Sequence, residues 1–323
     1  MILFIKEAIR ISAAFLFGTT GEIITEKSGH LNLGVPGVMC VCASVGVYTE
    51  YKYMSSLKNI NDAVPLLAIG IPLICCIFAG VLVGLLYSFL TVSLRCNQNV
   101  TGLTITTFGT GFAGFLVKKI DGLRGSQIVM RGADFFRKSL IPNCSGVWQI
   151  FFSHGFLVYV AIIVAVVATL ILNKTKVGLN LRAVGENPAT ADAVGIKVTA
   201  YKYVATCIGC AIAGMGGFFY TMDCARGSFS TTSVVEMVGW LSVALVIFSL
   251  WRPNLAIVGS IVFGALYILP NSLSLKMAKG VDKIIGILPY AVTVLVLIIT
   301  SIFDSKNAQP PASLGLNYFR EER

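Results

Sequence analysis

The stretch VPLLAIGIPLICCIFAGVLVGLLYSFLTVSL, residues 64–94, decides the fold class of this chain. It contains no charged residue, and it exceeds the roughly 20 apolar residues that an α-helix needs to cross a hydrocarbon core. Further apolar runs of about crossing length lie on both sides of it, and we expect eight or nine of the nine runs to span a membrane. The runs are residues 8–24, 31–51, 64–94, 100–117, 150–172, 201–222, 235–251, 255–273 and 284–303.

Composition excludes the other broad classes of protein. Hydrophobic residues make up 56% of the 323 residues, charged residues make up 12%, and the mean hydropathy is +0.82. A soluble domain is about 25% charged, so a soluble, disordered, fibrous or disulfide-stapled chain is excluded. The net charge of +10 comes mostly from basic residues in short loops without interleaved aromatics. This pattern favours lipid headgroups over nucleic acid as the partner of those charges.

We therefore predict an all-α polytopic membrane protein with about 8–10 transmembrane helices. A single transmembrane domain covers residues 1–303, and a polar, exposed tail covers residues 304–323. The second apolar run begins Leu31-Asn-Leu-Gly-Val-Pro-Gly37, which predicts a broken or re-entrant segment inside protein or beside a cavity. Residues 228–235, before the seventh run, are similarly interrupted. Two such segments indicate two pseudo-repeat halves around a central pathway.

Cysteine and histidine do not form a metal or redox motif. Cys207 and Cys210 have the CxxC spacing but lack partner ligands nearby, so we interpret them as small residues of a membrane helix. His30 and His154 are the only histidines and lie far apart in the sequence. We expect no metal site and no catalytic residue.

The charged loop over residues 174–199 contains a predicted short helix. Asn187 can cap this helix, Pro188 fits its first turn, and Gly195 can end it. A short, exposed helix of small residues is suited to a cleft on another protein. The residues alone also allow an ordinary capped connector between two spans.

Several motifs are similar to those of one family of transport proteins. The loop Arg182-Ala-Val-Gly-Glu-Asn-Pro-Ala-Thr-Ala-Asp-Ala-Val-Gly-Ile196 resembles the coupling-helix loop of ABC importer permeases of the simple-sugar and nucleoside branch, which is related to branched-chain amino acid permeases. Pro36 stands where the family commonly has Glu, so the chain lacks a carboxylate near the broken segment. Further resembling segments are Gly21-Glu22, Glu26-Lys-Ser-Gly29, Asn32-Leu-Gly34, Gly37-Val-Met39, Asn97-Gln-Asn-Val-Thr-Gly-Leu103 and Ala244-Leu-Val-Ile-Phe248 with Trp251-Arg-Pro253.

The resemblance implies a non-catalytic subunit of an ATP-driven importer in a bacterial cytoplasmic membrane. The implied partners are a second permease (often a paralogue), a cytoplasmic ABC ATPase that binds ATP and magnesium, and an extracytoplasmic substrate-binding protein. The chain has no Gly-x-x-x-x-Gly-Lys-Ser/Thr phosphate loop, and we expect it to need no cofactor. The residues expected to contact the ATPase, with Glu186 facing a basic residue there, are Gly185, Glu186, Asn187, Pro188, Ala189 and Ala191.

Orientation also follows from the resemblance, because basic residues are almost balanced between the two faces. A coupling loop must face the ATPase, so residues 174–202 are expected in the cytoplasm and residues 118–149 outside. The N-terminus is then cytoplasmic only if one of the first two runs does not cross. We expect this, because the second run begins irregularly.

Polar residues within the apolar runs are the candidates for a translocation pathway. Thr104 and Thr107 share one helical face with Gly111, although small polar residues at this spacing also pack helices together. Glu236 is expected at an interface, paired or beside water, and Trp240 can stack on a planar ring or fill space. Glu22 and Glu26 can pair with Lys27 or Arg10. The full candidate set is Asn32, Asn97, Gln98, Asn99, Thr101, Thr104, Thr106, Thr107, Glu236 and Trp240.

The residues leave the solute open, with a nucleoside as the first choice before a simple sugar or a heterocyclic vitamin. The alternative class is an ion-gradient-driven secondary transporter, which needs ionisable groups inside the membrane. The spans offer only Glu22, Glu26 and Glu236, all near segment ends. A membrane-embedded enzyme needs converging His, Asp or Ser side chains, which two distant histidines do not supply.

Overall fold

The computed structural model describes residues 2–57, 62–120, 122–139, 141, 148–229, 232–273, 287–302 and 309–319, and these ranges contain helices and no β-strand. The predicted all-α class is confirmed. The helices in chain order are α1 (Ile2–Glu26), α2 (Val35–Ser56), α3 (Pro65–Ser88), α4 (Gln98–Val117), α5 (Gly122–Arg137), α6 (Gln149–Phe152), α7 (Phe156–Lys174), α8 (Lys176–Glu186), α9 (Pro188–Ala193), α10 (Val198–Phe219), α11 (Thr232–Phe248), α12 (Pro253–Leu273) and α13 (Leu288–Ile302).

Five of these helices are long and apolar enough to cross a membrane by themselves. They are α3 with a π-helical extension to Ser93, α4, α7, α10 with a π-helical extension to Cys224, and α12 as far as Pro270. Helices α1 and α2 have 25 and 22 residues, but they are more polar and mostly buried inside the bundle. Helix α11 has 17 residues. The total of about 8–10 transmembrane helices stays a prediction.

Helix α1 forms the centre of the bundle. Every residue from Ile11 to Ile23 is buried, and the helix packs against α7, α10, α11 and α12. Gly21 of α1 and Gly209 of α10 lie backbone to backbone, so that a Cβ atom at either position would overlap the other helix. Close approach at small residues is the usual way in which helices associate within a bilayer.

Helices α3 and α10 pack side by side in opposite directions. Gly80 of α3 lies against Ala211, whereas Gly84, one turn later, lies against Cys207. Each helix ends in a five-residue π segment, and each π segment is followed closely by an arginine with positive φ, Arg95 at 59° and Arg226 at 53°. Two matching elements that run in opposite directions are consistent with the predicted pseudo-repeat halves, which stay a prediction.

The predicted interruption of the second apolar run is confirmed, and it forms the connection between α1 and α2. Residues 27–34 are not helical, although most of them are buried. The irregular backbone finds side-chain partners: Gln98 accepts from the amide of Leu31 at 2.8 Å, Glu22 accepts from that of Asn32 at 3.1 Å, and Asn32 accepts from that of Gly34 at 2.9 Å. Backbone satisfied in this way is tolerated at membrane depth.

Both of the first two segments cross the bundle, so the expectation that the N-terminus lies on the same side as the 174–199 loop is wrong. Near the start of α1, the ammonium of Lys6 donates to Ser153 at 2.7 Å. At the far end of α1, Gly29 lies against Gly185 in the 174–199 loop. The N-terminus therefore lies at the end of the bundle opposite that loop. The sequence prediction failed because an irregular start does not prevent α2 from continuing as a regular helix to Ser56.

Candidate functional site

The 174–199 loop folds into two short helices joined at Asn187. The side chain of Thr175 caps α8 by accepting from Gly178, and that of Asn187 caps α9 by accepting from the amide of Thr190 at 3.1 Å. Pro188 occupies the first turn of α9, and Gly195 follows the helix with φ of +88°. The predicted capped helix is confirmed, and Asn187 both ends α8 and caps α9.

The six residues expected to contact an ATPase divide into an exposed group and a buried group. Glu186, Asn187 and Ala189 are exposed, and Pro188 is half-buried. Ala191 is only 3% exposed, because it packs into a small apolar cluster with Val184 and Val198. Gly185 is also buried. Among these six residues, the exposed ones therefore lie around the start of α9 and form its outer edge, and Gly185 and Ala191 support that edge from inside the chain.

The C-terminal tail is ordered against this loop over residues 309–319, so the expectation that it is simply exposed is wrong there. The amide and hydroxyl of Ser313 both donate to the carbonyl of Gly185, and the amide of Ala312 donates to Glu186 at 3.2 Å. The Tyr318 hydroxyl donates to Asp192 at 2.9 Å. Since Glu186 already has a partner within the chain, it is less available to a basic residue of an ATPase.

Lys27 brings a charge close to the same loop. Burial lowers the pKa of the Lys27 ammonium, and the negative charge of Glu186 opposes this shift. The carbonyl of Lys27 lies directly against Gly185. Residues 27–34 and the 174–199 loop are thus in contact through the backbone, and Lys27 and Glu186 attract each other across this contact.

Three of the predicted pathway residues have structural roles within the chain. Asn32 is 1% exposed, and its side chain contacts the Cys210 thiol at 3.5 Å in addition to capping Gly34. Asn97 caps α4 by accepting from Val100 at 3.1 Å. Thr101 is 7% exposed and donates to the carbonyl of Asn97 at 2.8 Å.

Two other candidates, Gln98 and Thr106, are also buried and join α4 to neighbouring segments. Gln98 donates to Leu316 and Asn317 in the C-terminal tail, both at 3.3 Å. Thr106 donates to the carbonyl of Leu33 at 3.0 Å. Asn99, in the first turn of α4, is exposed.

The remaining candidates lie on α4 and α11, on either side of the start of α2. Thr104, Thr107 and Gly111 are all exposed, as the shared helical face predicts. Each threonine hydroxyl donates to its own helix, to the carbonyls of Val100 at 2.8 Å and Leu103 at 3.1 Å. Their oxygen atoms remain able to accept from a solute.

Pro36 and Gly37 form a wedge between these two helices. Gly37 lies against the backbone of Ile105 in α4, and Pro36 lies against Gly239 in α11. Glu236 and Trp240, near Gly239 on α11, are half-buried. We call the remaining exposed or half-buried candidates on these two helices the α4–α11 face: Thr104, Thr107, Gly111, Glu236 and Trp240.

Sequence reasoning missed the partners of the buried acids in α1. Glu26 accepts from the indole nitrogen of Trp251, and Arg10 forms an ion pair with Asp223 rather than with Glu22 or Glu26. Trp251 had a signal in the sequence, since it belongs to the family-like segment before Pro253. Nothing local to Asp223 indicates that its partner lies in α1.

Comparison with known proteins identifies the family. The family described as branched-chain amino acid transport system permease components matches residues 5–300. The chain belongs to this family. It is a multi-pass permease subunit of the inner membrane, and the family in general implies an ATPase and a substrate-binding protein as partners.

Relatives of this permease cover nearly its whole length. The nucleoside ABC transporter permease protein NupC of Lactococcus lactis is 29% identical, over 96% of this chain and 95% of its own. The putative glucose ABC transporter permease protein TsgC13 of Haloferax volcanii is 29% identical, over 98% of this chain and 97% of its own. The guanosine ABC transporter permease protein NupQ of Bacillus subtilis is 28% identical, over 97% of this chain and 95% of its own.

Proposed function

We propose that this permease subunit forms, with a second permease, the membrane pathway of an ABC importer for nucleosides. The observation that carries the solute class is that two of the relatives matched along the whole chain are named for nucleoside or guanosine transport. The glucose-named relative makes a simple sugar the second candidate. The α4–α11 face suits a nucleoside, since hydroxyls can accept from ribose, and Trp240 offers a ring for base stacking.

We propose that coupling runs from α9 to the pathway through residues 27–34. ATP-driven movement of a partner's cleft would shift the outer edge of α9. Gly185 touches Lys27 and Gly29, so the shift would reach the segment that leads into α2. The start of α2 is wedged between α4 and α11, and its movement would open or close the α4–α11 face. In this mechanism ATP and magnesium bind to the ATPase, and the present chain holds neither.

The test begins with the tagged chain, solubilised from its native membrane, and with identification of the co-purifying chains by mass. We expect an ATPase with Walker motifs and a second permease. The complex is then reconstituted in liposomes with ATP inside, and uptake of radiolabelled guanosine, ribose and glucose is measured with the binding protein outside.

Nucleoside uptake that needs ATP and survives collapse of ion gradients supports the proposal. A glutamine substitution of the catalytic carboxylate of the ATPase is the matched control and should abolish uptake. Uptake of sugar alone would replace the nucleoside with the second candidate. Uptake that follows an ion gradient without ATP would refute the coupling mechanism in favour of a secondary transporter.

A further inference from the structure

A polar cavity opens at the end of the bundle that holds the 174–199 loop. It has a volume of about 640 Å³ and lies between the turn joining α3 to α4, the turn joining α9 to α10, and the C-terminal tail. This volume is in the range of sites for small molecules. The polar side chains that argue for a ligand are His30, Arg95, Gln98, Lys197, Lys202 and Asn317.

Lys202 is the decisive residue, because it is a buried cation without an anionic partner among the residues that the structure describes. It is only 3% exposed, and no carboxylate within the described ranges lies within 4.0 Å of its ammonium group. A buried charge is costly unless it is paired. An anion bound in the cavity would therefore offset the cost of burying this ammonium group, and the described part of this chain does not supply one.

The charges around the cavity indicate the kind of anion. The lining includes three basic side chains, those of Arg95, Lys197 and Lys202, against the single carboxylate of Asp192. The excess of two positive charges matches a phosphate monoester, which carries about −1.5 to −2 at pH 7. The arginine fork is suited to two phosphate oxygens at once, and a lysine ammonium provides a compact charge.

Arg95 and His30, two of the lining residues, are held by contacts within the chain. The guanidinium of Arg95 lies 4.8 Å from the ring centroid of Phe319, and its carbonyl accepts from Asn317 at 2.8 Å. His30 is fully buried and joins Thr91 at 2.7 Å to Thr206 at 2.8 Å, one turn after Lys202 on α10. These contacts join the turn before α4, the tail and α10 around the cavity.

We propose that this cavity is a binding site for a phosphate-bearing anion, held by Lys202 and Arg95. The phosphate belongs either to a soluble ester or to the headgroup of an anionic lipid. A ligand there joins the α9–α10 turn to the start of α4, so it restrains the segments that we propose to couple ATP to the pathway. The binding site itself does not depend on which solute the permease carries.

The experiment uses the full-length chain in nanodiscs of phosphatidylcholine, titrated calorimetrically with inorganic phosphate, GMP and guanosine. We expect phosphate and GMP to bind and guanosine not to bind. Lys202→Met keeps the apolar stem without the charge and should weaken GMP binding about ten-fold or more, as expected for a lost charge-assisted hydrogen bond. Lys174→Met, at an exposed position outside the cavity, is the matched control and should leave GMP affinity unchanged.

The remaining outcomes separate the two sources of phosphate from failure of the proposal. If GMP does not bind, but native mass spectrometry shows phosphatidylglycerol retained by the wild type and lost from Lys202→Met, the ligand is a lipid headgroup. Equal binding of guanosine and GMP, or full GMP affinity in a folded Lys202→Met chain, would overturn the proposal. Release of both GMP and phosphatidylglycerol when the ATPase is added would also overturn the proposal. Arg95→Gln, at an exposed residue, provides a second variant if Lys202→Met does not fold.

Discussion

Gly185 packs against Lys27 so closely that a Cβ atom at position 185 would overlap the Lys27 carbonyl oxygen and lie 3.1 Å from the amide nitrogen of Gly29. This contact joins the 174–199 loop to the break between α1 and α2. The nearest atoms of Lys27 and Gly29 are backbone atoms, so rotation of a side chain cannot relieve an overlap there. A larger residue at position 185 is therefore a sensitive test of the coupling route.

The first prediction is that Gly185→Ala separates the loop from residues 27–34. We expect a loss of about 1–3 kcal/mol in the free energy of unfolding, as for other overpacked sites. In the assembled transporter we expect ATP hydrolysis to continue while uptake per ATP falls. Gly70→Ala is the matched control, because no atom lies within 4 Å of a Cβ there. Unchanged stability and unchanged coupling in Gly185→Ala would exclude this contact as the route.

The second prediction concerns the exposed edge of α9. Ala189→Trp should prevent co-purification of the ATPase, or uncouple it, because a large ring would not fit a cleft shaped for small residues. Membrane insertion and thermal unfolding of the permease alone should be unchanged, since Ala189 is exposed. Ser126→Trp places the same ring at an exposed position on α5, which lies at the opposite end of the bundle, and should have no effect. Normal uptake with Ala189→Trp would count against the coupling assignment.

The third prediction tests the buried hydrogen bond between Trp251 and Glu26. Trp251→Phe keeps an aromatic ring but leaves the Glu26 carboxyl group, which is 4% exposed, without its indole donor. An unsatisfied buried acceptor typically costs about 1–3 kcal/mol of stability. Trp240→Phe is the control, because Trp240 is half-buried and has no recorded indole partner among the described residues. Thermal unfolding of the two variants in detergent should differ, and equal stability would show that the Glu26 contact contributes little.

The fourth prediction is that the ion pair between Arg10 and Asp223 stabilises the contact between α1 and the π segment after α10. Arg10→Met leaves Asp223, at 1% exposure, without its cation. We expect a loss of about 3–5 kcal/mol, as when one member of a buried pair is removed. Adding Asp223→Asn should restore much of this loss, because the uncompensated charge disappears. A double-mutant cycle by thermal unfolding measures the coupling, and additive losses would mean that the pair is not energetically important.

How far the sequence predicts this structure depends on how local each interaction is. The cap at Asn187, the proline turn at Pro188 and the positive φ at Gly195 are set by neighbouring residues, so all three were predictable. The break before Pro36 was predictable for the same reason. Ser313 contacts Gly185 from 128 residues away, and no local pattern specifies such a contact. The prediction that the N-terminus lies on the same side as the 174–199 loop was also wrong, because that position depends on the path of α2 beyond the irregular stretch.

The last prediction separates solute contact from helix packing on the α4–α11 face. Thr107→Val removes the exposed hydroxyl while keeping the shape of the side chain, and Thr107→Trp fills the space in front of it. If the face lines the pathway, Thr107→Trp should abolish uptake without loss of ATPase or second permease from the complex, and Thr107→Val should raise KM for guanosine several-fold. Ile163→Trp, at an exposed apolar position on α7, is the control and should transport normally. If Thr107 instead packs against the second permease, Thr107→Trp should disrupt assembly, and Thr107→Val should leave KM for guanosine unchanged. The α4–α11 face would then be an interface between permeases rather than part of the pathway.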